Sequence, residues 1–452
     1  MKKIIALVLL AGSLLSSLSS CYFYGTGTGT DNLLVPPKLT AKQSEIYKAL
    51  EEQVGSNINL RYPKTGEYRS AFVIKNIDDE PTNEALVFYQ KNTNTTKPAS
   101  LRISILDQQE ERWVSTYEAA AEGTDVHQVD FSNFSTTDSM FIIIGYTMTS
   151  EQDNVMHIYR YREGKIVDLY SQPYSLMQLV DIDNDGYQEI VALTAVSGQV
   201  NTTSANVIKY RNGGFEIVDT VEMDAEVTSY LNVKTGFVGN NVSALYLDGM
   251  KGKNKMKTQI LFYDNGKLQN NFALDKDVDQ QLTRQAGILS MDIDQDGIIE
   301  IPVLELMPGY TDQTESSDTA NVTADRDTQY LTHWNVFRDG RFEEKMLSYV
   351  NMNFGYLLEI PEELRGKITV KRNTETNEVV FYEYGSSLAD TWKELFRLRV
   401  RNQKEAEEDD LGYRTITTSG QLNYQAKLPD FPTSTLEVDL RTIRENFRLI
   451  KQ

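Results

Sequence analysis

Two segments of this chain concentrate residues that could do chemistry. Asp181-Ile182-Asp183-Asn184-Asp185-Gly186-Tyr187-Gln188-Glu189-Ile190 and Asp292-Ile293-Asp294-Gln295-Asp296-Gly297-Ile298-Ile299-Glu300-Ile301 share the form D-I-D-x-D-G-x-x-E-I. Carboxylates at positions 1, 3 and 5 converge on one point only where the backbone curls tightly, and glycine at position 6 permits that turn. Tyr187 and Ile298 can each offer a backbone carbonyl, and Glu189 and Glu300 close the cage. Every donor is a hard oxygen, which suits Ca²⁺. The expectation is therefore Ca²⁺ at about two sites, held by Asp181, Asp183, Asp185, Tyr187 and Glu189, and by Asp292, Asp294, Asp296, Ile298 and Glu300. An acidic turn kept solvated by its own charges would need the same residues, and the repetition of the pattern favours metal. The loops are not EF-hands, because the place of the bidentate glutamate is taken by Ala192 and Val303.

Weaker echoes keep the same span. Asn76, Asp78, Glu80 and Glu84 preserve the oxygen ligands but put Pro81 where glycine stood, which marks a weak metal candidate. Asp130 to Asp138, Asn232 to Asn240 and Asn351 to Glu359 have lost most ligands and should hold no metal. The starts imply a period of roughly 50 to 60 residues. A second signal supports that period. Ile158–Lys165, Ile208–Gly214, Leu261–Lys267 and Val336–Arg341 are alternating apolar runs around Glu-Gly, Asn-Gly or Asp-Gly, the preferred dipeptides of type I′ hairpins in the last two cases. About four strands per unit at this period is the requirement of a β-propeller blade. The fold expected is mainly β: a six- to seven-bladed propeller over residues 59–380, with an N-terminal helical segment at 33–58. The helix follows from Thr40 and Gln43 as a capping box, Ile46, Leu50 and Val54 at helical spacing, and Gly55 as a stop.

The acidic loops at 181–190 and 292–301, with these hairpins, resemble the FG-GAP/VCBS-type repeats of calcium-decorated β-propellers. Leu33–Thr40, the helix after it and Gly66–Val73 are similar to lipoproteins of clostridia-like Gram-positive bacteria that carry such repeats. The resemblance spans residues 33–380. It implies surface attachment and Ca²⁺, and implies no particular activity.

The N-terminus carries its own signals. Lys2 and Lys3, then Ile4–Leu10 with Leu14 and Leu15, read as an export signal over residues 1–20. Leu18-Ser19-Ser20-Cys21 resembles the lipobox at which bacterial lipoproteins are cleaved and lipidated, and Cys21 is the only cysteine of the 452 residues. An intrachain disulfide is thereby excluded. Residues 21–32, with Gly and Thr alternating, suit a flexible tether. The expected location is the outer face of the cytoplasmic membrane, anchored through lipid on Cys21.

Residues 381–452 depart from the repeat and suggest an α+β cap or a remodelled last blade. Ser386–Glu394 suggests a helix, Glu405–Asp410 an acidic loop, Tyr413–Leu428 a hairpin, and Asp439–Ile450 an amphipathic helix.

With 65 acidic against 45 basic residues the net charge is −20, which argues against nucleic-acid partners. No zinc-type histidine spacing, nucleophile elbow or phosphate loop occurs. His157 and His333 read as half-buried sheet residues, and Trp113, Trp334 and Trp392 as core rather than a sugar platform. No catalytic residue is assigned. The expected function is a membrane-anchored binding scaffold for a protein or glycan ligand. The alternatives are a sensory or assembly subunit of an envelope complex, and an extracellular carbohydrate-active hydrolase or lyase built on a carboxylate pair.

Overall fold

A computed structural model describes residues 39–450, apart from 79, 92–99, 111, 136–139, 149–153, 197–201, 240, 272–281, 312–327, 339, 374–375 and 409–410. The export signal, Cys21 and the tether lie outside the described residues, as do Asp138 and Asn240.

The chain is built from antiparallel strands. Six sheets follow one another in sequence among the described residues: sheet 1 (58–120), sheet 2 (125–174), sheet 3 (176–223), sheet 4 (227–285), sheet 5 (301–359) and sheet 6 (368–427). Sheets 2 and 3 are four-stranded meanders, and sheets 1, 4, 5 and 6 carry a fifth strand. Sequence pattern explains how they stack. Second strands such as Phe141–Thr147 are buried throughout, and accordingly read as unbroken apolar runs. Outer strands such as Lys165–Tyr174 mix exposed and half-buried residues. Hydrophobic layers join sheet 1 to 2, 2 to 3, 3 to 4, 4 to 5 and 5 to 6. Consecutive sheets each facing the next make this a β-propeller architecture.

The two ends of the series are finished differently. Helix α1 (Ala41–Val54) lays Ile46 and Leu50 on Phe72, Val87, Tyr89 and Trp113 of sheet 1. Its capping box is formed: the Thr40 hydroxyl accepts from the Gln43 amide, and the Gln43 side chain accepts from the Thr40 amide. Gly55 follows at φ 88°, a value that costs glycine nothing. At the other end, Phe381, Phe396 and Leu398 of sheet 6 face sheet 5, and alternation puts Lys371, Arg397 and Arg399 on the opposite face, where Arg399 is buried against the Tyr413 ring. Among the described residues no hydrophobic layer joins sheet 6 to sheet 1.

Several local expectations change. Asp130 and Asn232 lie inside strands (Asp125–Ser132 and Val227–Val238), so neither starts a loop. Asn351 ends the third strand of sheet 5, a different connection from the one that carries the acidic loops. Ser386–Glu394 is not helical but a run of bends and turns ending at the strand Glu394–Asn402, held by Ser386, Ser387 and Thr391 side chains that cap local backbone and the Asp390 carboxylate. Part of the supposed acidic loop is helix α2 (Gln403–Glu408). The C-terminal helix α3 stops at Asn446 (Leu440–Asn446), and Phe447–Leu449 becomes a strand beside Tyr356–Glu359 of sheet 5. The boundary drawn at 380/381 cuts the strand Glu378–Glu383, and residues 368–427 form a sheet of their own. Trp113 and Trp334 are core as expected, whereas Trp392 is 64% exposed.

Three of the four hairpins adopt the expected turns, and Asp339 of the fourth lies outside the described residues. Glu163-Gly164, Asn212-Gly213 and Asn265-Gly266 all have positive φ at both central residues, the type I′ geometry. No helix among the described residues is long and apolar enough to cross a membrane.

Candidate metal centre

The two acidic loops occupy corresponding places, each leading into the strand that begins at or just after its closing glutamate. Residues 181–188 connect Leu176–Val180 to Glu189–Val196, and the second loop precedes Ile301–Leu306 with a Met291–Glu300 bridge. Their internal bonding matches. At position 1, both Asp181 oxygens accept backbone amides, from Asp185 at 3.0 Å and Gly186 at 3.0 Å. Asp292 does the same with Gln295, Asp296 and Gly297. At position 5, one oxygen of Asp185 accepts from Tyr187 N, and one of Asp296 from Ile298 N. At position 9, Glu189 accepts from Ile182 N at 3.0 Å, and Glu300 from Ile293 N at 2.8 Å. Position 4 also curls the chain, with Asn184 at φ 60° and Gln295 at φ 65°.

Shaping the turn engages both oxygens of the first carboxylate, and the carboxylates of positions 1, 3 and 9 still converge on a common spot. Asp181, Asp183 and Glu189, and likewise Asp292, Asp294 and Glu300, bring one oxygen each within 4.8 Å of the others. Each triad could hold a metal ion. The donor chemistry fits a hard divalent cation, and Asp183 Oδ1 is buried with no hydrogen-bond partner among the described residues. Such an ion would supply positive charge to a crowded set of carboxylates.

A lysine already supplies that charge in both loops. Lys209 Nζ lies 2.5 Å from Asp183, 2.8 Å from Asp185 and 3.1 Å from Glu189. Lys345 Nζ lies 2.8 Å from Asp294, 2.7 Å from Asp296 and 2.7 Å from Glu300. Burial alone would lower both lysine pKa values, but the carboxylate hydrogen bonds outweigh it and hold each ammonium well above its ordinary range. Burial pushes Glu189 up to about 7, with Lys209 opposing, and burial also raises Glu300. Sequence reasoning missed both lysines, because they come from different strands. Lys209 lies one step beyond the Ile190–Ile208 pair, opposite Glu189. Lys345 is the extra residue of a bulge in the pairing of Tyr330–Arg338 with Arg341–Asn351.

The weak candidate in sheet 1 keeps one hydrogen bond of that turn. Ile77 N donates to Glu84 Oε2 at 2.8 Å, as Ile182 and Ile293 do to their glutamates. Asn76 donates to the Glu80 carbonyl, and Asp78 accepts from Glu80 N. Glu84 is fully buried and its Oε1 has no hydrogen-bond partner among the described residues. Burial, with help from Asp78 and Asp107, raises its pKa to about 7.

The histidines bind internally. His157 sits between Asp168 (2.7 Å) and Glu122 (3.0 Å), and His333 between Glu344 (2.7 Å) and Glu305 (2.6 Å). The matching spacing of His157 to Asp168 and His333 to Glu344 was the available sequence signal. A polar cleft of 540 Å³ opens beside the sheet 3 loop, between Lys209, Arg211, Asp219, Asn241 and Tyr263.

No family model matches the sequence, and no curated protein matches it. Among solved structures, the Saccharomyces cerevisiae protein Sqt1 is 10% identical over 80% of this chain and 96% of its own, with a TM-score of 0.33. The periplasmic gluconolactonase PpgL of Pseudomonas aeruginosa is 10% identical over 74% of this chain and 86% of its own, at 0.26. The rhamnogalacturonan lyase YesW is 10% identical over 72% and 74%, at 0.30. Superpositions this loose carry no functional weight, and the fold assignment rests on the sheet order above.

Proposed function

We propose that this chain is an exported lipoprotein, anchored through Cys21 at the outer face of the cytoplasmic membrane, whose propeller is a scaffold that binds a glycan or protein ligand. The observation that carries the binding role is a pair of aromatics at the sheet 6 end. Trp392 is 64% and Phe431 85% exposed, and their loops are fastened to one carboxylate. Glu383 accepts from Lys393 Nζ at 3.0 Å and from Ser434 Oγ at 2.6 Å. Large exposed aromatics on braced loops suit an interface anchor. The histidines and the acidic loops, in contrast, are engaged with internal partners, which favours binding over catalysis. Ca²⁺ at the two triads of sheets 3 and 5 belongs to the same reading; there it would compete with Lys209 and Lys345.

The test is a glycan array probed with the wild type and with Trp392→Ala/Phe431→Ala, with product formation followed on every bound glycan. Capture that disappears in the double variant, without turnover and with an unchanged melting temperature, supports the scaffold. Turnover would replace it with a carbohydrate-active enzyme. Separately, Cys21→Ala should abolish labelling by lipid precursors, and unchanged labelling would remove the anchor from the proposal.

A further inference from the structure

The central strand of sheet 6, Glu394–Asn402, sets Arg397, Arg399 and Arg401 on one face by alternation. The first two are engaged. Arg397 forks onto Glu394, Nε to Oε1 and Nη2 to Oε2, at 2.6 Å each. Arg399 donates from Nε to Gln425 Oε1 at 2.8 Å and lies 3.6 Å from the Tyr413 ring centroid. Arg401 differs. Its Nε is buried without a partner, and nothing among the described residues accepts from its guanidinium. Asn423, its cross-strand neighbour, likewise buries an Oδ1 that no donor among the described residues reaches. Glu378, the carboxylate on the adjacent strand, is already taken by Tyr413 Oη at 2.6 Å and Thr376 Oγ1 at 3.2 Å.

Arg401 lines a cleft of 250 Å³ where sheet 6 meets a turn of sheet 5. Phe354 of that turn and Leu422 give it apolar walls, and Thr376, Asn377 and Asn402 give it hydroxyl and amide groups. The walls are fixed in place. Phe354 N donates to Asn351 Oδ1 at 3.3 Å, the Phe354 carbonyl accepts from Tyr424 Oη at 2.9 Å, and Thr376 N donates to Asn373 Oδ1 at 3.2 Å. Charge sets this cleft apart. Asp183 and Asp219 line the cleft beside the sheet 3 loop, and Asp78, Glu80 and Glu163 line a smaller one beside the sheet 1 loop. Among the described residues no acid lines the cleft of Arg401. In a chain of net charge −20, a recess whose one charge is an unpaired guanidinium selects an anion.

We propose that this cleft is a carbohydrate subsite for a uronic acid, whose carboxylate pairs with Arg401. A planar guanidinium matches a planar carboxylate through two parallel hydrogen bonds. A phosphate dianion would call for a second cation, which the cleft lacks among the described residues. Phe354 and Leu422 can take the C–H face of a sugar ring, while Thr376, Asn377 and Asn402 meet its hydroxyls. That polar half favours a sugar over an apolar side chain carrying the same charge. At 250 Å³ the cleft lies below the range of about 300–1,000 Å³ that suits larger ligands, so it fits one ring rather than a chain. The inference rests on the glycan-binding reading in naming the sugar, but it uses a different surface from Trp392 and Phe431, so either can fail alone.

NMR titration of the whole chain with glucuronic and galacturonic acid tests it, against the methyl ester of glucuronic acid, glucose, inorganic sulfate and a short peptide ending in a leucine carboxylate. At least one uronate should bind saturably, and the ester and glucose should bind about tenfold more weakly or worse. Arg401→Gln should lose the uronate by the same factor, and Arg401→Lys should recover part of it, because it keeps the charge and loses the fork. Arg401 has no partner to forfeit among the described residues, so both variants should melt with the wild type. Trp392→Ala/Phe431→Ala should leave uronate binding intact whatever it does to capture on the glycan array. Absence of uronate binding, equal binding of acid and ester, or full binding by Arg401→Gln would overturn the proposal. Sulfate bound as tightly as the uronate would reduce the cleft to a general anion site, and a tighter peptide would reassign it to a protein partner. Loss of uronate in the Trp392/Phe431 variant would move the sugar to that surface, and each of these three results also overturns it.

Discussion

At the scale of single residues, several partly buried charges of this molecule are held by neighbours of opposite sign. Glu118 accepts from Tyr89 Oη at 2.6 Å and Arg102 Nε at 2.7 Å, with Lys91 at 3.1 Å. Burial opposes its ionisation, but these donors prevail and depress its pKa to about 2. A depressed carboxylate contributes stability that is complete above the unfolded value near 4.5 and fades as pH falls towards 2. Glu118→Gln should therefore cost about 1–3 kcal/mol at pH 7 and flatten the acid limb of stability between pH 4.5 and about 2. Urea melts at stepped pH check both, and an unchanged acid limb would count against this reading. Lys209 presents the converse case. Lys209→Met leaves Asp183, Asp185 and Glu189 facing one another, and breaking a buried pair in this way costs about 3–5 kcal/mol. Millimolar Ca²⁺ should restore much of that loss, since the freed triad offers an ion the same three oxygens. A variant as stable as the wild type in chelator would show the ammonium to be dispensable.

At the scale of elements, helix α1 substitutes for a neighbouring sheet. Ile46 and Leu50 are fully buried against the outer face of sheet 1. Leu50→Ala should cost about 2–5 kcal/mol, a core value rather than that of a peripheral helix. Thermal melting decides between them, and a loss below about 0.5 kcal/mol would make the helix peripheral. This helix was legible in the sequence because its signals are local: the Thr40/Gln43 box, the apolar spacing and Gly55 act within a few residues. The hairpins and the two regular acidic loops were legible for the same reason. What escaped depends on register between strands that are distant in sequence. Lys209 and Lys345 carry no mark of their role until pairing brings them to Glu189 and Glu300. The strand Phe447–Leu449 looked helical because Phe447 and Ile450 continue the apolar spacing of α3, and pairing with Tyr356–Glu359 overrode that local preference.

At the scale of the whole molecule, the C-terminal segment returns to sheet 5 and clamps it to sheet 6. Phe447 stacks on Tyr356 of sheet 5 at 5.1 Å and meets Tyr424 of sheet 6 at 5.6 Å. Ile443 is buried in the same layer, Arg444 donates to the Thr415 carbonyl of sheet 6, and Arg448 to Glu359 of sheet 5. Sheets that each touch only their neighbours behave as a linear array, in which stability is the sum of the units and their interfaces. With no hydrophobic layer between sheets 6 and 1 among the described residues, loosening at the sheet 6 end has no direct route to sheet 1. Phe447→Ala should thus cost about 3–5 kcal/mol locally. Its effect on hydrogen exchange should be graded: amides of residues 330–427 lose protection first, while those of 84–109 and of α1 keep theirs. A mutation of equal size in the middle, such as Leu247→Ala in the layer between sheets 3 and 4, should loosen both flanking sheets instead. If Phe447→Ala lowered protection equally in every sheet, the molecule would unfold as one cooperative ring. Sheet 6 would then have to be coupled to sheet 1 by more than the polar face it presents.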